Sequence, residues 1–221
     1  MASPLRRTDN RVEKEIAKFL DKNLYPTLPF NRFTRIVEKS EQLKGKDVVF
    51  SSEFLGISNG VIDEKCTAHY VNKNIPTFAF ELSFLLDDNT EVNGWLIDEN
   101  KETEYYLLLW PKAKVEDESA TAPYFTSNDI EQIDYILVKR ENIILFLHSK
   151  GFDKNRLASA SRYYRDNVHD IQHQNQLKQK YKEKVGFYFM ITRNLPETPV
   201  NVIIYRKDLE KIATLKGTCL P

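Results

Sequence analysis

An α/β fold is what this 221-residue sequence predicts, on three observations. Segments with helical apolar spacing open the chain and return after Gly151. Between Lys46 and His148 lies a series of β-branched and aromatic runs bounded by turn residues. The composition, 41% hydrophobic and 29% charged, is ordinary globular usage, with no internal repeat.

Taken in order, Asp9 or Asn10 caps an expected helix over residues 11–22, on which Val12, Ile16, Phe19 and Leu20 recur at helical spacing. Pro26 and Pro29 stop it, and a second short helix is expected near Phe33 to Glu41. Lys46 to Phe50 reads as a strand, Asn59-Gly60 as a turn, and Val61 to Val71 as the next strand. Asn72 to Pro76 turns the chain again before Thr77 to Leu86, so a hairpin is expected there. Trp95 to Ile97, Glu104 to Trp110, Tyr135 to Val138 and Ile143 to His148 continue the strands. Asp153 caps a helix running to Asn167, and the polar segment from His169 to Lys184 is a solvated helix or a mobile segment. Phe187 to Ile191 and Val200 to Tyr205 are late strands, and Asp208 to Leu215 a closing helix. No linker divides the chain, so residues 1–221 are expected as one domain.

Several function classes are excluded at this level. No run of about 18 apolar residues exists to form a membrane span. The first residues lack the apolar stretch of a secretion signal, so a cytoplasmic protein is expected. Cys66 and Cys219 are too few for a disulfide framework. There is no G-x-S-x-G, no catalytic Cys/His signature and no Gly-rich phosphate loop, so no nucleotide cofactor is expected. His69, His148, His169 and His173 show no metal-ligand pattern beyond a solvated i, i+4 pair.

Lysines and arginines equal aspartates and glutamates at 32 each, yet the charge is uneven. Leu86 to Glu118 holds ten acids against three bases; Lys150 to Lys184 holds nine bases against four acids. Local field rather than net charge steers a phosphate backbone, so the basic stretch can face DNA. Within it Arg156, Arg162 and Arg165 are the candidate DNA contacts, the last two sharing a helix face.

The chemistry-bearing stretch is Lys44-Gly45-Lys46-Asp47-Val48-Val49-Phe50 followed by Gly60-Val61-Ile62-Asp63-Glu64-Lys65. Side chains alternate along a strand, so Asp63 and Lys65 share one face while Glu64 and Cys66 share the other. Two carboxylates and an ammonium converging on adjacent strands suit a hard divalent cation with a phosphate beside it. This arrangement resembles the PD-(D/E)xK, restriction-endonuclease-like nucleases, over residues 10–110. Asp47 matches the first acid of that signature, Asp63 the second and Lys65 its lysine; Lys46 replaces the proline that often precedes the first acid. The opening helix, Val12-Glu13-Lys14-Glu15-Ile16, is similar to that of archaeal Holliday-junction resolvases, which makes Glu13 a candidate with Glu15 as its spare. Some members carry a further acid on a later strand, and in the expected hairpin Glu81 lies one same-face step from Lys65.

The resemblance implies a mixed β-sheet flanked by helices, with additional C-terminal strands and helices. It implies an enzyme hydrolysing DNA with Mg²⁺ or Mn²⁺ held by Asp47, Asp63 and Glu13 or Glu81, and with Lys65 positioning the attacking water. Cutting both strands of a duplex would call for a homodimer. The alternatives are a catalytically inactive scaffold or binding module of the same fold in a repair or defence complex, and a purely structural hairpin.

Overall fold

Pro4 opens the first helix, α1 (Pro4–Phe19), where a missing backbone N–H costs nothing. The helix therefore starts upstream of Asp9 and Asn10, the expected caps, and both lie inside it. The computed structural model describes residues 4–115 and 123–221, with side chains from residue 11 onward. The acids Glu116, Asp117 and Glu118 lie outside the described residues. Val12, Ile16, Phe19 and Leu20 are all buried, as their spacing requires. A wide turn at Leu20–Leu24 and a tight one at Tyr25–Thr27 then carry the chain off the helix.

The described residues group into two compact units, each assembled from separate stretches of chain, so no single cut in the sequence separates them. The first comprises Met1–Ile75, Thr103–Val138 and Ala213–Pro221; the second comprises Pro76–Glu102 and Lys139–Ile212. Together they make an α/β fold with one mixed and one antiparallel sheet.

In the first unit, β1 (Arg32–Arg35) stands where a helix was expected; only α2 (Lys39–Gln42) is helical. Phe33 stacks on Tyr25 with ring centroids 5.0 Å apart and pairs across from Phe50, and this tertiary contact overrides a weak helical pattern. β2 (Val48–Ser52) and β3 (Ile57–Cys66) run antiparallel, joined at residues 53–56 rather than at Asn59-Gly60. Asn59, at φ +53°, and Gly60 instead lie inside β3. Phe50 rests on Gly60, where a Cβ would fall 2.7 Å from its ring. β3 ends at Cys66, short of the expected Val71.

β6 (Tyr105–Ala113) lies parallel to β3, followed by β7 (Ile130–Lys139) and β10 (Leu215–Cys219), giving the order β1-β2-β3-β6-β7-β10. β10 pairs antiparallel to β7, whose edge offers it hydrogen bonds, and begins at Leu215, where the expected closing helix was to end. Phe50, Ile62, Tyr105, Leu107 and Leu109 pack with Val12, Ile16 and Phe19 into the core of this unit. β3 is thus an interior strand, flanked on both sides.

The second unit contains β4 (Thr77–Leu85), β5 (Glu91–Asn93), β8 (Tyr188–Ile191) and β9 (Val200–Tyr205) in the antiparallel order β5-β4-β9-β8. The expected hairpin between β3 and β4 does not form. β4 pairs with β9, more than a hundred residues away, burying Phe78, Phe80 and Leu82 against a partner rich in Val and Ile. Trp95 to Ile97 forms a turn rather than a strand. Residues 143–148 are helical, within α3 (Arg140–Ser149), because a short continuous apolar run carries no period that separates helix from strand. Arg140 donates to the carbonyls of Leu96, Lys101 and Asp98 and so orders the preceding acidic loop.

α4 (Lys154–Asn167) begins as predicted, with the Asp153 carboxylate accepting from the Arg156 N–H at 2.8 Å. α5 (Ile171–Val185) is capped the same way by Asp170 and ends at Gly186, at φ +82°. α6 (Arg206–Leu209) is a single turn. Among the described residues no helix is long and apolar enough to cross a membrane.

The core of this unit is aromatic: Tyr164, Tyr181 and Phe189 meet with centroids 5.1 to 6.5 Å apart. Among the described residues the buried Tyr164 hydroxyl has no hydrogen-bond partner. A buried polar group without a partner forfeits its hydration, so Tyr164→Phe is expected to stabilise the protein by about 1 kcal/mol, raising Tm by about 2–4 °C. A fall in Tm on thermal denaturation would show that the hydroxyl is hydrated.

Candidate active site

Asp47 stands immediately before β2 and is anchored by its backbone N–H, which donates to the Ile62 carbonyl at 2.9 Å. Its carboxylate Oδ2 accepts the Glu64 N–H at 2.7 Å, which ties it to the middle of β3. Asp63 is 3% exposed. The Lys65 Nζ, two residues along on the same face, donates to Asp63 Oδ1 at 2.6 Å. Alternation along the strand therefore delivers the convergence of Asp63 and Lys65 that the sequence predicts.

The charges of these groups act strongly on one another. Burial, reinforced by the negative charges of Asp63 and Glu64, pushes the Asp47 carboxyl up to about 7, against the pull of Lys65 and the Glu64 N–H. Burial works against the Lys65 ammonium, but Asp63, Asp47 and Glu13 more than offset it and raise its pKa. The charge of Glu13 reaches both Lys65 and Cys66. Glu15 is engaged elsewhere: it accepts from Lys18 at 2.5 Å and from the Ser127 N–H at 3.0 Å. The helix thus presents Glu13, not Glu15, to this cluster.

Glu64 points to the opposite face, as its parity requires. It accepts from the Tyr25 hydroxyl at 2.5 Å and from Arg35 at 2.8 Å, and Arg35 also grips Asp21 at 2.7 Å. This part-buried ion network braces β3 from behind. Burial, with Glu13 and Glu64, pushes the Cys66 thiol well up, so it is an inert thiol.

Two residues that the motif does not mark shape the pocket. Gly45 has φ +79°, and a Cβ there would fall 2.1 Å from Thr103 Oγ1 and 3.3 Å from Asp63 Oδ2. The buried Thr103 hydroxyl donates to the Gly45 carbonyl at 2.9 Å. Gly45 is visible in the sequence next to the first acid, but Thr103 is 58 residues away along the chain and has no local signal. Gly45→Ala combines a strained backbone with a steric clash and is expected to cost about 2–4 kcal/mol, read as a lower urea midpoint. A change within about 0.5 kcal/mol would show that Thr103 moves aside freely.

Other sequence candidates sit elsewhere. Glu81 lies on β4 opposite Asn201, in the four-stranded sheet, and shares no strand pairing with β3. The hairpin that would have placed it beside Lys65 is absent because β4 finds its partners in β5 and β9. Arg165 is bound within its own unit: it donates to Glu91 at 3.0 Å, Ser83 at 2.7 Å, and the Thr198 hydroxyl at 3.0 Å. Burial opposes ionisation of Glu91, but Ser83, Arg165 and Arg162 hold it below the usual carboxylate range. Arg156 folds back onto the Gly151 carbonyl at 2.7 Å. Arg165 and Arg156 are thus engaged in intramolecular bonds, whereas Arg162, which shares the predicted face with Arg165, is exposed.

Among the described residues no group of three His, Cys, Asp or Glu side chains stands ready to hold a metal. Asp47 and Asp63 still fit a divalent cation of the Mg²⁺ type, which takes one or two carboxylates and completes its shell with water and phosphate. The fit rests on charge: Asp47 and Asp63 both act on the Lys65 ammonium, and burial with the charges of Asp63 and Glu64 opposes ionisation of Asp47. Compared with known protein families, curated proteins and solved structures, the chain matches none.

Proposed function

We propose that the protein is a metal-dependent nuclease of the PD-(D/E)xK type that hydrolyses DNA phosphodiester bonds. One observation carries this reading: Asp47, just before β2, and Asp63, near the end of the antiparallel β3, press their charges on each other, with Lys65 hydrogen-bonded to Asp63. A merely structural ion pair would match one acid to one base. Here a second, half-buried carboxyl is left in excess, which suits a site completed by Mg²⁺ or Mn²⁺.

In this reading Asp47 and Asp63 hold the cation, which when bound supplies Lewis-acid polarisation of the phosphate and acidifies its water. Lys65, held charged by its acidic neighbours, orients the attacking water and offsets charge developing on the phosphoryl oxygens. Glu13 is exposed on α1, and its charge helps hold the Lys65 ammonium protonated. Thr103 and Gly45 keep the first acid's loop close against Asp63. The free thiols of Cys66 and Cys219 suit a reducing cytoplasm.

The test is incubation of the purified protein with plasmid, single-stranded and branched DNA in Mg²⁺ and in Mn²⁺. Cleavage of any of the three, abolished by EDTA, is expected. Failure on all three, with Mn²⁺ binding retained by calorimetry, would replace the enzyme with a binding module of the same fold.

A further inference from the structure

The second unit holds a cavity of about 340 Å³ walled by Lys150, Lys182, Lys207 and Lys211, with Tyr205 and Asp208 between them. The four lysines come from three places: the end of α3, the last turn of α5, and the α6 turn with its exit. They share one carboxylate, and Asp208 is taken by Lys211 at 2.6 Å. Lys150, Lys182 and Lys207 have no carboxylate within ion-pair distance among the described residues. Instead they lie over aromatic rings: Lys182 and Lys207 over Tyr205 at 5.8 and 5.6 Å, and Lys150 over Phe146 at 5.9 Å. Helix C-termini attract cations, which accounts for Lys150 and Lys182 singly but not for the arrival of two more from another element. Converging ammoniums repel, so the arrangement calls for an anion.

We infer that this cavity is a binding site for the phosphates of a nucleic-acid backbone; the inference rests on the nuclease reading for its choice of polyanion. Three features favour a polymer over a small phosphate. All four lysines are exposed, so each contact is weak and gains strength by repetition along a charged strand. The cavity is lined by no arginine that would clamp a single phosphate bidentately. The pattern also continues beyond the cavity: Lys178 lies 4.6 Å over Tyr188, whose ring is 6.4 Å from that of Tyr205. A line of ammoniums over tyrosines matches a strand whose charges repeat every few ångströms. The basic stretch seen in the sequence thus contributes Lys150, Lys178 and Lys182, while its Arg156 and Arg165 are engaged in intramolecular bonds.

The experiment is fluorescence polarisation of a labelled single strand of about 20 nucleotides, and of its duplex, in EDTA across a NaCl series. EDTA leaves the carboxylate cluster without metal, so binding is read apart from catalysis. Lys182→Glu/Lys207→Glu is expected to weaken binding at least tenfold and to lower the slope of log K against log[NaCl] by about 1.5. Lys39→Glu/Lys114→Glu, with the same change in charge outside the cavity, should stay within about twofold, and melting curves confirm that each variant folds. Unchanged binding by the cavity variant overturns the inference. So does tight binding of inorganic pyrophosphate to the cavity together with no binding of either oligonucleotide. DNA binding lost in the cavity variant, in a protein that never cleaves DNA, sustains this site and removes the nuclease. Cleavage by wild type that the cavity variant matches, with equal DNA affinity, removes this site and sustains the nuclease.

Discussion

Asp63→Ala and Lys65→Met are each expected to lower metal-dependent DNA cleavage by about 10²–10³-fold or more, with the fold retained. Asp63 is the most buried of the acids and holds the Lys65 ammonium at 2.6 Å, so its removal takes away a metal ligand and loosens the lysine at once. Lys65→Met keeps the apolar stem and removes the charge, which leaves Asp63 and Asp47 unopposed and should lower stability as well as activity. The two effects are separated by calorimetry. Asp63→Ala should lose Mn²⁺ binding, whereas Lys65→Met should retain it while losing turnover. Wild-type cleavage by either variant, measured on the best substrate, would show that chemistry takes place elsewhere.

The second large effect concerns stability against pH in the metal-free protein. In the fold the Asp47 carboxyl titrates at about 7, above its ordinary value of 3.8, because burial and Asp63 oppose its charge. The folded state therefore binds a proton that the unfolded chain has released, and the stability this confers is full below pH 3.8 and is lost as pH rises through about 7. Asp47→Asn keeps an oxygen to accept the Glu64 N–H and cannot ionise. It is expected to be more stable than wild type by about 1–3 kcal/mol at pH 8 in EDTA, and equal to it near pH 4. Adding Mn²⁺ at pH 8 should raise the Tm of wild type and leave that of Asp47→Asn unmoved. Parallel urea curves for the two proteins at pH 8 would mean that Asp47 is ionised at no cost and that the cluster lacks the excess charge assigned to it.

Both predictions start from residues that stand out in the sequence, since Asp47, Asp63 and Lys65 lie within one pair of adjacent strands. Sequence spacing governs short-range geometry, so the parity that sets Lys65 beside Asp63 and turns Glu64 away could be read from three consecutive residues. The same holds for the α1 stripe and for the Asp153 cap. Other readings failed for identifiable reasons. Asn59-Gly60 has the composition of a turn, but Phe50 needs a glycine beneath it, and the chain reverses at residues 53–56 instead. Residues 143–147 are apolar throughout and carry no period, so helix and strand were equally open.

What the sequence determined by itself is therefore local: the α/β class, the amphipathic helices and the motif on β2 and β3, each set by interactions among residues a few positions apart. The tertiary structure decided the long-range pairings. It sent β4 to β9 instead of β3, so the hairpin expected to set Glu81 one step from Lys65 does not form; it also drew Thr103 against Gly45 and gathered lysines from three elements around Tyr205. Those outcomes depend on which apolar faces and strand edges find each other across many residues of chain, a competition settled by total burial and hydrogen bonding that no short window of sequence encodes.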